Sequence, residues 1–169
     1  MDTEIIRSRA SIRKYTGEDI PREILADILD CGRWAPSGMN NQPWMFITVT
    51  DREVLNQLAK CTASGIVIRK SAVCIAVFLN LAKIYNRTKD VQTMGACIEN
   101  MLLAAHFHDL GACWLGEILA KRAQVEVILG VPSDQFELMA VLALGLPAET
   151  PKNRRRDPLD EIWHEDKFA

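Results

Sequence analysis

Apolar and polar positions along the chain change period several times, and each change marks an element. Over 21–34, Ile24, Leu25, Ile28, Leu29 and Cys31 recur at helical spacing behind Pro21, a residue suited to the first helical position. Met45-Phe46-Ile47-Thr48-Val49-Thr50 reads as a strand, and Thr50-Asp51-Arg52-Glu53 as a capping box with Thr50 as N-cap. The helix it opens carries Val54, Leu55 and Leu58. The continuous apolar run 72–79 predicts a strand buried on both faces. The longest helix is expected over about 90–109, with Met94, Ile98, Met101, Leu102 and Ala105 on one face, Leu103 and Phe107 on others, and Gly111 as its stop. Ala112-Cys113-Trp114-Leu115 suits a short strand, 120–129 a helix ending at Gly130, and 136–146 a last strand. Residues 3–8 suit a helical turn, 60–71 have no decisive period, and 148–169 form a polar, irregular tail. Helices and strands alternate without a repeat or linker, which predicts one domain over 1–169 with a sheet covered by helices.

Composition narrows the function classes. The formal net charge of −2 over 169 residues gives no whole-chain argument for nucleic acid or a membrane surface. The most apolar stretch, 96–107, is broken by Glu99, Asn100 and His106 and is too short to span a bilayer. The N-terminus begins acidic, without the basic start and apolar centre of a signal peptide. Five cysteines, an odd number with no Cys-x-x-Cys, fit a reducing cytoplasm better than secretion. His106 and His108 point in different directions on a helix, so no metal site is expected.

The connection from Trp34 to Trp44 is chemically dense. Pro36, Gly38 and Pro43 fix its backbone, while Ser37, Asn40, Asn41 and Gln42 bring neutral donors and acceptors between two indoles. A rigid polar loop bracketed by aromatics suits a planar heteroaromatic ligand, although such loops are also plain connections. No Gly-x-Gly-x-x-Gly or Gly-Lys-Ser/Thr motif is present, so a bound phosphate would need arginines. Two clusters are available. If the segment around Arg9, Ser11 and Arg13 is extended, alternate side chains share a side; Arg154 and Arg156 of the tail have the same spacing. Either cluster also reads as a solvated basic patch. Glu117 follows Trp114-Leu115-Gly116 and either caps or lines a site, with no catalytic partner in view. No Ser-His-Asp or Cys-His arrangement is evident, so the chemistry is expected to belong to a bound cofactor.

Taken together, these segments resemble the nitroreductase family of FMN-dependent oxidoreductases. The resemblance rests on 9–15 (Arg-Ala-Ser-Ile-Arg-Lys-Tyr), 35–44 (Ala-Pro-Ser-Gly-Met-Asn-Asn-Gln-Pro-Trp), 100–105 in the long helix, 110–116 (Leu-Gly-Ala-Cys-Trp-Leu-Gly), 144–147 (Leu-Gly-Leu-Pro) and the arginine tail. It implies an α+β, three-layer fold with a mixed central sheet flanked by helices, and a homodimer with FMN at the subunit interface. Arg9, Ser11 and Arg13 match the first FMN-contacting segment of the family. Pro36, Ser37, Gly38, Asn40 and Gln42 match the loop contributed around the flavin by the partner subunit. Leu115 and Gly116 match the turn whose backbone approaches the isoalloxazine ring, including N5. Arg154 and Arg156 match the pair that holds the FMN phosphate.

The implied activity is ping-pong: NADH or NADPH reduces the flavin and leaves, and a nitroaromatic, quinone or similar small acceptor reoxidises it. The chain has little room between about 80 and 93 for the helical insertion that covers the flavin in longer relatives, which predicts an open site. Three other readings stay open. One is an FMN-binding module that stores or senses flavin without turnover. Another is a specialised relative that dehalogenates or processes flavin. The last is nucleic-acid binding through Arg154–Arg156, which lacks interleaved aromatics.

Overall fold

The computed structural model describes residues 3–151 and 155–168. Ten regular elements follow one another: α1 (Glu4–Ser8), α2 (Arg22–Arg33), β1 (Trp44–Val49), α3 (Arg52–Leu58), α4 (Gly65–Lys70), β2 (Val73–Asn80), α5 (Arg87–Phe107), β3 (Gly111–Leu115), α6 (Arg122–Leu129) and β4 (Phe136–Gly145). The strands form one sheet in the order β1-β2-β4-β3. Every pairing among them is antiparallel. The parallel component expected of a mixed sheet is confined to an isolated bridge between Ser11 and Ala112.

The continuous apolar run became β2, which lies inside the sheet between β1 and β4 and is buried along nearly its whole length. Its alternate side chains serve two cores. Cys74, Ala76 and Phe78 pack with Leu55, Leu58, Val67, Ile68 and Val125, from α3, α4 and α6. Val73, Ile75, Val77 and Leu79 pack with Ile28 of α2 and with Met94, Ile98, Met101 and Ala105 of α5. The sheet is thus the middle of three layers. In β4 the parity changes: Leu138 faces the first core and Ala140 the second. A bulge at Met139 explains this, since Phe78 is opposite Leu138 while Val77 is opposite Ala140.

Two details differ from the sequence expectation. The N-cap of α3 is Asp51, not Thr50; its carboxylate accepts from the Glu53 and Val54 amides, both at 2.9 Å. A carboxylate is the stronger acceptor for these orphan amides and suits the positive end of the helix. Gly111 does not stop α5. The helix ends at Phe107, Asp109 takes a left-handed φ of 56°, and Gly111 is the first residue of β3. Glycine is required there because a Cβ would lie 2.6 Å from Cγ2 of the buried Ile12. The ambiguous 60–71 stretch holds a 3-10 turn, Ala59–Cys61, and α4.

Candidate functional site

The segment 9–16 is extended and lies across the end of the sheet. The Ile12 amide donates to the Ala112 carbonyl at 2.9 Å, the Thr16 amide to Leu146 at 3.0 Å, and the Ala148 amide to Lys14 at 2.9 Å. Ile12 and Tyr15 turn into the core, whereas Arg13 is exposed and Arg9 and Ser11 are half-buried. Burial and two nearby thiols keep the Tyr15 phenol far above its ordinary pKa, so it packs as a neutral group; it donates to Ile12 and Ala143 carbonyls. Arg9 Nε donates to Glu99 Oε1 of α5 at 3.1 Å, and the Arg13 guanidinium sits 3.5 Å from the Ser11 carbonyl. The Arg13 amide donates to Glu149 Oε1 at 2.7 Å, and this bond holds the Glu149 carboxyl below the usual range. Among the described residues, the terminal nitrogens of Arg9 and the hydroxyl of Ser11 make no hydrogen bond.

The 36–42 loop is built around a 3-10 turn, Gly38–Asn40. Met39, Asn40 and Gln42 have φ of 52°, 55° and 46°. Such left-handed values in non-glycine residues cost on the order of 1–3 kcal/mol each and persist only where the surroundings over-determine them. Ser37 Oγ accepts from the Gln42 amide at 3.1 Å, and Gln42 Nε2 donates to the Asn40 carbonyl at 3.3 Å. The Asn40 side-chain amide has no partner among the described residues. Pro36 and Trp34 are exposed, and Gly38 and Trp44 are half-buried.

Leu115 ends β3, buried and paired with Val141, and Gly116 follows it exposed. The next residue, Glu117, accepts from the Thr62 hydroxyl and from the Ala63 amide at 3.0 Å. These two bonds, the hydroxyl first, lower its pKa and pin the Leu115–Gly116 turn to the 62–64 segment. In the tail, Arg156 is exposed and, among the described residues, donates to the neighbouring Arg155 carbonyl at 3.3 Å. Arg154 lies outside the described residues. The structure therefore joins the segment holding Arg9, Ser11 and Arg13 to β3 at Ala112, three residues from Leu115 along that strand.

Sequence reasoning missed Glu99, Glu149 and Asp90, which anchor the predicted site residues. No spacing links 9 to 99, 13 to 149 or 41 to 90. A carboxylate in the first turn of the long helix was the one available signal for Asp90. All five cysteines are free, and burial pushes Cys74 and Cys97 up to about 12. Among the described residues there is no cluster able to hold a metal ion and no helix long and apolar enough to cross a membrane.

A separate open groove of about 590 Å³ runs between α1, α2 and α5, lined by Ile5, Ile6, Cys31, Trp34, Leu103 and Phe107 among others. None of the sequence-predicted site residues lines it. It leaves Ile6, Trp34 and Phe107 largely exposed.

A family model described as the nitroreductase family matches residues 6–71 and 66–146. The chain belongs to that family. A relative from Methanothermobacter thermautotrophicus, named as an NADH dehydrogenase or NAD(P)H nitroreductase, is 35% identical over 155 residues, covering 89% of this chain and 80% of its own. A nitroreductase structure from Desulfovibrio desulfuricans, solved in complex with FMN, is 42% identical with a TM-score of 0.92, covering 98% of this chain and 96% of its own. The NADPH:FMN oxidoreductase of Vibrio harveyi, solved with NAD+, is 25% identical with a TM-score of 0.91, covering 98% of this chain and 77% of its own. The nitroreductase likeness extends over nearly the whole chain, as the sequence motifs imply.

Proposed function

We propose that this nitroreductase-family chain is an FMN-dependent oxidoreductase that passes electrons by a ping-pong mechanism from NADH or NADPH to nitroaromatic, quinone or similar small acceptors. The observation that carries the reading is a donor set the fold leaves unspent. Arg9 keeps its terminal nitrogens, Ser11 its hydroxyl, Arg13 most of its guanidinium and Asn40 its amide. FMN has a dianionic phosphate, a hydroxylated chain and a planar ring edged with donors and acceptors, so these groups fit it. The complexes named for the Desulfovibrio and Vibrio relatives support the choice of FMN and a nicotinamide.

Bound FMN would supply the two-electron redox chemistry. Arg9, Ser11 and Arg13 hold and orient the cofactor, and their positive charge favours negative charge on the reduced ring. Arg154 and Arg156 neutralise the phosphate. The Leu115–Gly116 backbone borders the ring, with Glu117 fixing the turn through Thr62 and Ala63. Pro36, Ser37, Gly38, Asn40 and Gln42 surround the ring with neutral polar groups.

The reading includes a homodimer with the FMN site at the interface. The loop is tied to Asp90 and Arg9 to Glu99, at different points on the same helix. Nine residues of helix separate these anchors by about 14 Å. A second copy bringing its loop to the first copy's arginines completes the site. The apolar groove along α5 supports burial of that helix against a partner. Five free thiols support a reducing, cytoplasmic setting.

Steady-state rates with reduced nicotinamide varied against a quinone test the mechanism. Parallel double-reciprocal lines are expected, and intersecting lines contradict ping-pong. Binding of FMN without any catalytic turnover would favour a storage or sensing module.

A further inference from the structure

Asp90 is fully buried, in the first turn of α5, and forms no ion pair among the described residues. A carboxylate in that position must be held by hydrogen bonds alone. It accepts three: from Asn41 Nδ2 at 2.6 Å, from the Tyr85 amide at 3.1 Å and from the Asn86 amide at 3.0 Å. The Asn41 amide nitrogen also donates to the Lys83 carbonyl at 2.9 Å. Its oxygen is buried without a partner among the described residues. The amide is thus fixed entirely by its donor end, which joins the loop to two points of the 83–90 segment. Lys83 Nζ adds a bond to the Gln42 carbonyl at 3.2 Å. Gly38 lies so close to Tyr85 that a Cβ there would overlap the phenol.

These contacts fall on the stretch where Met39, Asn40 and Gln42 adopt left-handed backbone angles. Asn41 is the residue between the last two, and its side chain is the one in the loop that reaches a buried charge. We infer that the Asp90–Asn41 pair is a positioning device that holds the 37–42 backbone in its strained, ligand-ready form. The inference rests on the flavin reading only for the identity of the ligand. Neither residue needs to touch the cofactor. Asn41 anchors its neighbours so that Asn40 and Gln42 face outward, and Asp90 fixes Asn41.

The experiment compares Asp90→Asn and Asn41→Ala with Ser71→Ala. Ser71 is equally buried but bonds the Ile68 carbonyl, in the layer away from this loop. Two quantities are read: FMN affinity by quenching of flavin fluorescence, and amide exchange of 37–42 in the flavin-free protein. Both clamp variants are expected to weaken FMN binding on the order of tenfold, the scale of a lost charge-assisted hydrogen bond. They should also speed exchange in 37–42 while β2 and β4 stay protected. Ser71→Ala should lower the melting temperature and leave both readouts unchanged. Wild-type affinity and loop exchange in folded Asn41→Ala protein overturn the inference, as does faster exchange spread equally over β2 and β4. If Asp90→Asn does not fold, Asn41→Ala carries the test alone. Failure of the wild type to bind FMN overturns the functional reading instead, and the exchange measurement still decides the clamp.

Discussion

Arg9 Nε lies 3.1 Å from Glu99 Oε1 across ninety positions of sequence, with the arginine side chain 19% exposed and the glutamate 42%. The bond engages Nε and leaves the terminal nitrogens of the guanidinium unspent among the described residues. Its partial exposure limits its own contribution to about 0–1 kcal/mol. Glu99→Gln should therefore change FMN affinity by less than about fivefold. Arg9→Ala should weaken it by about tenfold or more, because a charge-assisted bond to the cofactor is lost. Fluorescence titration of both variants checks this, and equal losses contradict it.

Phe107 ends α5 beside the apolar groove and is 71% exposed in the single chain. In a dimer built on this face it becomes buried, and a charge there would be desolvated without a partner. Phe107→Glu should convert the protein to monomers in sedimentation experiments and lower FMN affinity in parallel. Dimers of unchanged stability would place the interface elsewhere.

Gly111 tests how closely the first segment packs on the sheet. A side chain there meets Ile12 at 2.6 Å, and Ile12 is buried among core residues that cannot move aside freely. Gly111→Val should destabilise the protein by roughly 1–3 kcal/mol, the range for overpacked cores. Denaturant unfolding measures it, and a change below the error of the method contradicts the packing argument.

Glu149 links pH to the anchoring of Arg13. The Arg13 amide holds the folded carboxyl below its usual value, so the charged form is favoured by folding. Stabilisation is therefore present above the unfolded glutamate pKa, about 4.3, and is lost as pH falls through the lower folded value. Wild type should melt higher than Glu149→Gln at neutral pH, and the gap should close in acid. A gap that persists or widens in acid contradicts the assignment.

The elements were legible where burial alone decides the pattern. Ile24, Ile28 and Leu29 announced α2, and the unbroken run of β2 announced a strand covered on both faces, because both answer to the core. Boundaries failed where two acceptors competed, as Thr50 and Asp51 did for the α3 cap. Gly111 was misread because glycine at a helix end and glycine under a crossing chain look alike in sequence. The site divided in the same way. Arg9, Ser11, Arg13 and the 36–42 loop are proposed from residue chemistry and family likeness, and the structure leaves donors unspent on Arg9, Ser11 and Asn40 among the described residues. Their anchors, Glu99, Glu149 and Asp90, depend on tertiary proximity that no local spacing encodes.

If this chain carries FMN and turns it over with a nicotinamide, reduced nicotinamide must bleach the bound flavin. Anaerobic stopped-flow of the FMN-loaded protein reads that step. One equivalent of NADH or NADPH should bleach the visible flavin band, and a quinone or nitroaromatic added afterwards should restore it. A flavin band unchanged by both nicotinamides, in protein that holds FMN, would contradict nicotinamide-linked turnover.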